Sequence, residues 1–315
     1  MGGYLLRKTS QLIPTIIGVV TLVFIIIRLI PGDATAVMAG DSLSGDALQA
    51  MKERLGLDVP VWRQYIDYWL DLLRMDLGTT LVTGQSVLQL IVEALPVTFI
   101  VAVLTVLIAC LIGVALGTLA AFSAHKGRKV MDRFITWLSM LVDLMPSFWM
   151  ALLLMLLFTL TLGWLPATGP IHFGDPASLF RRIALPLIVL CLGQISTIVR
   201  ITRTSVLEVL GEDYVRTARA FGAPELLVVF RHALKNAAMP IITVAGLAFG
   251  NLMNGTVITE FIFSIPGIGS LLIGGIKMRD YTLVQNVILV YSLLFIMINM
   301  LTDILYRRMD PRVKF

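Results

Sequence analysis

A short polar stretch interrupts the apolar second half of the chain at residues 212–222, which read Glu-Asp-Tyr-Val-Arg-Thr-Ala-Arg-Ala-Phe-Gly. Its acids complement the positive end of a helix dipole, and its glycine suits the left-handed residue that follows a helix. Tyrosine and arginine are favoured interface anchors, and the small residues permit close approach. The pattern predicts a short helix that another protein binds, or alternatively a surface helix whose arginines bind lipid phosphates. The residues assigned to this site are Glu212, Asp213, Tyr214, Arg216, Thr217, Ala218, Arg219, Ala220 and Gly222.

A second group of polar residues lies within apolar segments, where a polar side chain needs a bundle partner or water. Asp143 stands beside Pro146 and has three open interpretations: a functional acid, the partner of a nearby arginine, or an acceptor for a backbone amide freed by the proline. The outer half of segment 239–262 is polar, which predicts that it lines a pore. The predicted pore residues are Asp143, Gly246, Gly250, Asn251, Asn254 and Thr256.

Two pairs of glycines have the G-x-x-x-G spacing, one at Gly113 and Gly117 and the other at Gly246 and Gly250. Small residues at this spacing favour close packing of helices. The alternative is that they leave room for a passing substrate.

The residue types that carry out catalysis are sparse. No G-x-x-x-x-G-K-[ST] loop occurs, and no lysine follows a glycine, so ATP is not expected to bind through this motif. The histidines, His125, His172 and His232, are far apart, and both cysteines lie in apolar segments, where a thiol behaves as a small hydrophobe. We therefore expect no metal site, no disulfide framework and no enzyme active site.

The composition is that of an integral membrane protein, because 57% of the 315 residues are hydrophobic and only 14% are charged. Soluble domains are about one quarter charged. The apolar residues fall into segments long enough for a helix to cross a hydrocarbon core about 30 Å thick, and lipid-exposed backbone favours helices. The fold class is therefore an all-α membrane protein. Six spans are predicted at about 11–30, 96–122, 134–162, 183–203, 239–262 and 284–305.

The distribution of basic residues sets the orientation of these spans. Lysines and arginines concentrate in the N-terminal tail, the 123–133 loop, the 200–238 region and the C-terminal tail. The positive-inside rule assigns these regions, and thus both termini, to the cytoplasm. The net charge of +5 therefore reflects membrane orientation, and no nucleic-acid partner is expected. The predicted organisation is a tail and first span at 1–30, an external segment at 31–93, a five-helix core at 94–305 that contains the cytoplasmic 204–238 loop, and a tail at 306–315.

The external segment contains two amphipathic patterns, at 45–55 and 60–74. Pro60 suits the first turn of the second helix, whose apolar face includes aromatic residues. This face is either an aromatic belt at the membrane surface or a dock for an external protein that delivers a substrate. The docking candidates are Trp62, Tyr65, Trp69 and Asp76.

Nearly the whole chain resembles the permease subunits of bacterial ABC importers of the oligopeptide, dipeptide and nickel permease group. The resemblance rests on the order and spacing of several motifs, including Arg-Leu-Ile-Pro-Gly-Asp-Ala, Gly-Trp-Leu-Pro-Ala-Thr-Gly and Phe-Ser-Ile-Pro-Gly-Ile-Gly. The motifs lie at 28–34, 55–58, 76–78, 83–87, 163–169, 212–222, 231–237, 263–269 and 279–281. The chain departs from the wider superfamily at 216–218, where Arg-Thr-Ala stands in place of Glu-Ala-Ala.

The resemblance implies a type I ABC importer permease architecture in the bacterial inner membrane. It implies that 212–222 is the coupling loop that docks on an ATP-hydrolysing subunit. The implied partners are a second homologous permease subunit, two ATP-binding subunits that hold ATP and magnesium, a periplasmic or lipid-anchored substrate-binding protein and membrane lipids. This chain itself would need no cofactor. Peptides are the expected substrate, with nickel, glutathione, glycosides or opines as alternatives.

Two other classes of protein are compatible with a multi-span chain. Carriers driven by an ion gradient often contain inverted repeats and helices broken at the midplane, but no repeat relates the two halves of this sequence. A scaffold or receptor that transports nothing would not require a polar outer half in the fifth span.

Overall fold

The computed structural model describes the backbone of residues 2–29, 58–169 and 174–309. It describes the side chains of the same residues except those at 2–12, 253, 254, 303 and 305–309. The amphipathic pattern at 45–55, His172, the side chain of Asn254 and the tail from 310 onwards are therefore outside the described residues. The described backbone is helical, with one isolated antiparallel bridge between Thr79 and Ser86. The helices are α1 Gly2–Leu29, α2 Val61–Leu73, α3 Val87–His125, α4 Lys129–Asp143, α5 Ser147–Met155, α6 Pro176–Leu210, α7 Asp213–Ala220, α8 Glu225–Leu227, α9 Leu234–Ile262, α10 Ile268–Lys277 and α11 Tyr281–Met309.

Within the described residues, four helical stretches have the length and apolar composition needed to cross a membrane. They are Val87–His125, Pro176–Leu210, Glu225–Leu252 and Tyr281–Thr302. The stretch Ile13–Leu29 is apolar but shorter. A π-helical turn at Val228–Ala233 joins α8 to α9, so the third stretch begins in that short helix.

Segment 134–162, which the sequence predicts as one span, is broken into two helices. Helix α4 ends at Asp143, α5 begins at Ser147, and the two are bent by 97°. Pro146 lies at the break with extended backbone angles of φ −58° and ψ 136°. A proline lacks the amide hydrogen that would continue the helix, and it disfavours helical geometry at the preceding residue. The pair counts as a fifth candidate span if both helices belong to one crossing.

The chain divides into two compact units. One contains Met1–Thr98 with Pro266–Ile296, and the other contains Phe99–Ile265 with Met297–Phe315. In the first unit, Val23 and Ile27 of α1 pack against Val284 of α11. The buried Asp280 accepts hydrogen bonds from the amides of Leu81 at 2.8 Å and Leu283 at 3.0 Å. Asp280 therefore caps the start of α11 and holds the loop that precedes α3.

In the second unit, α6 is packed along much of its length. Gly113 and Gly117 of α3 lie so close to α6 that an added Cβ would stand 2.8 Å from Ile198 and 2.7 Å from Thr202. On the α4 side of α6, Ser196 donates a 2.7 Å hydrogen bond to the carbonyl oxygen of Ser139. The G-x-x-x-G pair in α3 is therefore a helix-packing motif, as small residues at this spacing predict.

Candidate functional site

The short helix predicted within 212–222 is present as α7, Asp213–Ala220, and Glu212 precedes it in an extended conformation. Gly222 has a φ of +79°, in the left-handed region. Its amide donates to the carbonyl of Arg219 at 2.9 Å, and the amide of Ala223 donates to the carbonyl of Ala218 at 3.2 Å. These two hydrogen bonds satisfy carbonyls that the helix end would otherwise leave unpaired. The prediction that Gly222 ends the helix in a left-handed conformation is confirmed.

One apolar side chain attaches α7 to the rest of its unit. Val215 is fully buried, whereas the residues on either side of it are exposed. It belongs to a buried cluster that also includes Leu210 of α6, Val228 at the entry to α9 and Ala121 of α3. The free energy of burying an apolar side chain increases with the area removed from water. This cluster therefore joins α7 to the ends of three long helical segments.

Two polar contacts supplement this apolar attachment. Nδ2 of Asn236 donates a hydrogen bond to the Tyr214 hydroxyl at 2.6 Å. Nε of Arg219 lies 3.3 Å from Oε1 of Glu225. Tyr214 and Arg219 were predicted as anchors for another protein, and in this structure both also make contacts within the chain. Arg216 extends into solvent, with its guanidinium 3.4 Å from the highly exposed carboxylate of Asp213.

Residues 212–233, which contain α7, α8 and the π-helical turn and are here called the α7 hairpin, expose large apolar side chains to solvent. Phe221 is 88% exposed, Leu226 is 66% exposed and Phe230 is 61% exposed. Grouped exposed apolar residues mark sites of interaction with proteins or membranes. Sequence reasoning omitted these three residues from the site. A signal for Phe221 was present, because it lies within the 212–222 stretch that the sequence singles out.

Asp143 is half-exposed and forms an ion pair with Arg200 of α6, with 2.8 Å between the carboxylate and the guanidinium. Of the three interpretations left open by the sequence, the structure supports the arginine partner. A second ion pair joins the same two helices, with Nη2 of Arg203 2.7 Å from Oδ2 of Asp132. Together with the Ser139–Ser196 hydrogen bond, the pairs form a polar seam between α4 and α6. A pore role for Asp143 stays a prediction.

The other predicted pore residues have different environments in α9. An added Cβ at Gly246 would stand 2.2 Å from the Thr302 methyl group of α11, so this glycine lies in a tight helix–helix contact. Gly250 and Thr256 are buried, whereas Asn251 is exposed. Since only one of these four residues presents its side chain to solvent, Asn251 is the described position best placed to face a pore. The pore assignment for the whole set stays a prediction.

The docking candidates on the external segment also differ from one another. Trp62 is 66% exposed, whereas Tyr65 and Trp69 are part-buried and form an edge-to-face ring pair. Oδ1 of the exposed Asp76 accepts a 2.8 Å hydrogen bond from the amide of Gly78, which shapes the turn after α2. Trp62 and Asp76 are thus available to a partner, and docking on all four residues stays a prediction.

A part-buried tyrosine, Tyr68, holds α2 on α11. Tyr68 donates a 3.2 Å hydrogen bond to Oδ1 of Asn286, and Nδ2 of Asn286 donates to the carbonyl of Leu77 at 2.9 Å. Burial raises the pKa of Tyr68 to about 12. The hydroxyl therefore remains protonated, and able to donate, across the physiological pH range.

Arg182 is a structurally important residue that the sequence did not assign to any site. It is 2% exposed, yet its guanidinium donates to the carbonyl oxygens of Gly169 at 2.8 Å and Ala167 at 2.7 Å. It also donates to the carbonyl oxygens of Phe263 at 2.5 Å and Ser264 at 3.0 Å. The last two lie at the C-terminal end of α9, where a helix carries partial negative charge. Arg182 therefore joins the 163–169 loop to the end of α9.

Within the described ranges, no three histidine, cysteine, aspartate or glutamate side chains come together as a potential metal site. The polar groups with well-defined partners mainly join helices to helices and loops.

Comparison with known proteins places these features in one family. Residues 113–315 match the family described as binding-protein-dependent transport system inner membrane component, and residues 1–102 match the N-terminal domain of such membrane components. A putative peptide transport system permease protein of Brucella abortus (strain 2308) is 39% identical over 316 residues, covering 100% of both chains. A glutathione transport system permease protein of Salmonella choleraesuis is 36% identical over 317 residues, again covering 100% of both.

A solved structure shares the fold at low sequence identity. It is the MetNI methionine ABC transporter in an inward-facing conformation, which matches 70% of this chain and 96% of its own with a TM-score of 0.59 and 15% identity. The chain therefore belongs to the family of binding-protein-dependent transport system inner membrane components, the permease subunits of ABC importers.

Proposed function

We propose that this chain is the translocating subunit of an ATP-driven peptide importer, and that an ATP-hydrolysing subunit binds it at α7. The observation that carries the proposal is the division of the α7 hairpin into one buried attachment and one exposed surface. Val215 is fully buried against the bundle, whereas Phe221 and Arg216 extend into solvent. An exposed apolar residue and an exposed basic residue on one hairpin suit a partner that must bind firmly and also transmit movement.

The proposed topology has six spans and two cytoplasmic termini. Helices α1, α3, α6, α9 and α11 would each cross the membrane, and the bent pair of α4 and α5 would form the remaining crossing. The bias of basic residues toward one side of these segments supports this orientation. It places α7 in the cytoplasm, where ATP is available.

The proposed cycle uses partner subunits for the chemistry. Two ATP-binding subunits would hold ATP and magnesium, and a second homologous permease would complete the pore. ATP binding would draw the two subunits together and move α7 on each permease. The buried cluster around Val215 would pass the movement to α6 and α9, and hydrolysis would reset it. An external binding protein would deliver the substrate.

Peptides are the proposed substrate class. The Brucella relative is named as a peptide permease, and it aligns with the whole of this chain. The relative named for glutathione, itself a tripeptide, makes glutathione the first alternative. Nickel complexes, glycosides and opines are further candidates in the wider group.

The decisive experiment measures uptake of a labelled dipeptide by proteoliposomes that contain the complete importer with its binding protein. Uptake should require ATP on the α7 side and should continue when a protonophore collapses the proton gradient. Phe221→Ala should weaken co-purification of the ATP-hydrolysing subunit, and Leu226→Ala should act in the same direction.

Sidedness supplies an independent check. A cysteine introduced as Arg216→Cys, with Cys110 and Cys191 replaced, should react with a membrane-impermeant thiol reagent in inverted vesicles that lack the ATP-hydrolysing subunit and not in intact cells. Labelling from the outside of intact cells would overturn the proposed topology. Uptake that stops with the protonophore and ignores ATP would overturn the proposed energy source.

A further inference from the structure

Helix α2 presents three distinct faces around its axis. Gln64, Tyr65, Tyr68 and Trp69 lie on one side and are part-buried. Each residue of a helix advances by about 100°, so this packed face is followed by an apolar stripe and then by a charged one. The apolar stripe contains Trp62, Ile66, Leu70 and Leu73, and the charged stripe contains Arg63, Asp67 and Asp71.

The apolar stripe is open to solvent in the isolated chain. Trp62 is 66% exposed, Ile66 is 49% exposed and Leu73 is 77% exposed. The charged stripe lies next to it and is also exposed. A helix with protein on one side, apolar residues on the second and charges on the third matches an environment of protein, lipid and water. Helices that lie in the plane of a membrane surface have adjacent apolar and charged faces, with tryptophan on the apolar side.

The contacts of α2 with α1 indicate how deep α2 would lie in the membrane. The hydroxyl groups of Tyr65 and Thr21 are 2.6 Å apart. The Tyr65 ring also packs edge-on against Phe24, with 5.1 Å between ring centroids. Thr21 precedes Leu29, the last residue of α1, by a distance of about 12 Å along the helix axis. Half of a hydrocarbon core is about 15 Å, so a helix whose side chain reaches Thr21 lies beside the outer half of that span.

A second contact lies closer to the outer end of α1. Nη2 of Arg28 donates a 2.9 Å hydrogen bond to Oε1 of Gln64. Arginine near the end of a span commonly places its charge at the interface while its stem remains in the apolar region. The packed face of α2 therefore extends from the interface toward the membrane interior.

Helix α1 has an apolar stripe of its own beside the residues that contact α2. Leu22, Ile25, Ile26 and Leu29 are exposed, at 57%, 49%, 49% and 74%. In a helix that crosses the bilayer, such residues face lipid. The apolar stripe of α2 thus belongs to the same unit as the lipid-facing stripe of α1. The stripe of α2 lies at the depth of the outer leaflet.

We propose that α2 is an interfacial helix of the outer leaflet, with Trp62, Ile66, Leu70 and Leu73 inserted among lipid acyl chains and Asp67 and Asp71 facing water. This inference rests on the proposed topology, in which α1 spans the membrane. Its consequence is that α2 is held at the membrane surface by lipid along its apolar stripe and by α1 and α11 along its packed face. The alternative occupant of the stripe is the external binding protein.

Spin-label accessibility distinguishes these occupants. With Cys110 and Cys191 replaced, single cysteines at Ile66 and Leu70 carry a nitroxide label, and Asp67→Cys provides the matched control one residue away. The complete importer is placed in nanodiscs of phosphatidylethanolamine and phosphatidylglycerol. Collision with oxygen reports lipid exposure, and collision with a water-soluble nickel chelate reports solvent exposure. Each label is measured with and without the binding protein.

Labels at Ile66 and Leu70 should show a severalfold higher ratio of oxygen to chelate accessibility than the label at Asp67, whether or not the binding protein is present. Chelate accessibility at Ile66 and Leu70 equal to that at Asp67 would overturn the inference. Protection that appears only after the binding protein is added would also overturn it, in favour of protein docking. A label at Ile25 of α1 tests the underlying topology, because chelate access there would contradict the span itself rather than the placement of α2.

Discussion

The side-chain amide of Asn236 donates a hydrogen bond to the hydroxyl of Tyr214, with 2.6 Å between nitrogen and oxygen. Asn236 lies in the first turn of α9, and Tyr214 lies in the first turn of α7. The bond therefore connects the proposed docking helix directly to the helix that carries Asn251. It runs parallel to the apolar connection through Val215, so movement of α7 has two routes into the bundle.

Replacement of Tyr214 by phenylalanine tests the polar route. The ring remains and the hydrogen bond is lost, which costs about 0.5–1.5 kcal/mol for a typical bond and falls at the lower end for an exposed pair. We expect less peptide transported per ATP hydrolysed, measured by uptake and phosphate release in proteoliposomes. Asn236→Ala should give a similar loss, and the double variant should lose little more than either single one. Additive losses would show that the two residues act separately.

Replacement of Val215 by alanine tests the apolar route. Removal of two buried methyl groups costs about 2 kcal/mol when the cavity is included. We expect a lower thermal unfolding temperature and weaker coupling of ATP hydrolysis to uptake. Arg216→Ala, at the adjacent exposed position, should change stability by less than about 0.5 kcal/mol but should reduce co-purification of the ATP-hydrolysing subunit. The prediction fails if the two variants have the same effect on thermal stability.

The contact between Gly246 and Thr302 predicts a rescue. An alanine at Gly246 would place its Cβ 2.2 Å from the Thr302 methyl group. Overpacking of this kind typically costs about 1–3 kcal/mol, so Gly246→Ala should lower the unfolding temperature in detergent. Adding Thr302→Ala removes the methyl group and should restore much of the loss.

Gly193→Ala is the control for Gly246→Ala, because it makes the same change in helix propensity at a position with space around it. Nothing lies within 4 Å of an added Cβ at Gly193 of α6. Alanine is favoured over glycine within helices by up to about 1 kcal/mol, so Gly193→Ala should leave stability equal or improved. If Gly246→Ala were equally harmless, close packing of α9 on α11 would not explain that glycine.

We expect replacement of Arg182 to have the largest effect on stability of any single substitution outside the α7 site. Arg182→Met removes the donor to four carbonyl oxygens at once, and each hydrogen bond to a charged group contributes about 1.5–3 kcal/mol. We expect a loss on the order of 3 kcal/mol or more, with faster proteolysis in the 163–169 loop. Arg182→Lys should recover part of the loss because it keeps the charge. Arg181→Met, at the exposed neighbour, should be nearly neutral, and equal losses at both positions would argue against the carbonyl contacts.

The third predicted span shows why local sequence is an incomplete guide. Hydropathy is continuous from 134 to 162, so composition favours one crossing, and Pro146 indicates only that the helix is interrupted. The 97° bend depends on where α4 and α5 pack. The ion pairs and hydrogen bond that hold α4 on α6 join residues 57 and 71 positions apart in sequence, and no local pattern identifies such partners.

The amino-acid sequence determined the all-α membrane class and the position of the short helix within 212–222, because hydropathy and helix ends depend on residues that are close together in the chain. It predicted the left-handed glycine at 222 for the same reason. Tertiary structure alone decided that Val215 is the attachment of α7, that Asp143 pairs with Arg200, and that Arg182 binds the end of α9. Each of these requires segments distant in sequence to meet, and the geometry of that meeting is set by how whole helices pack.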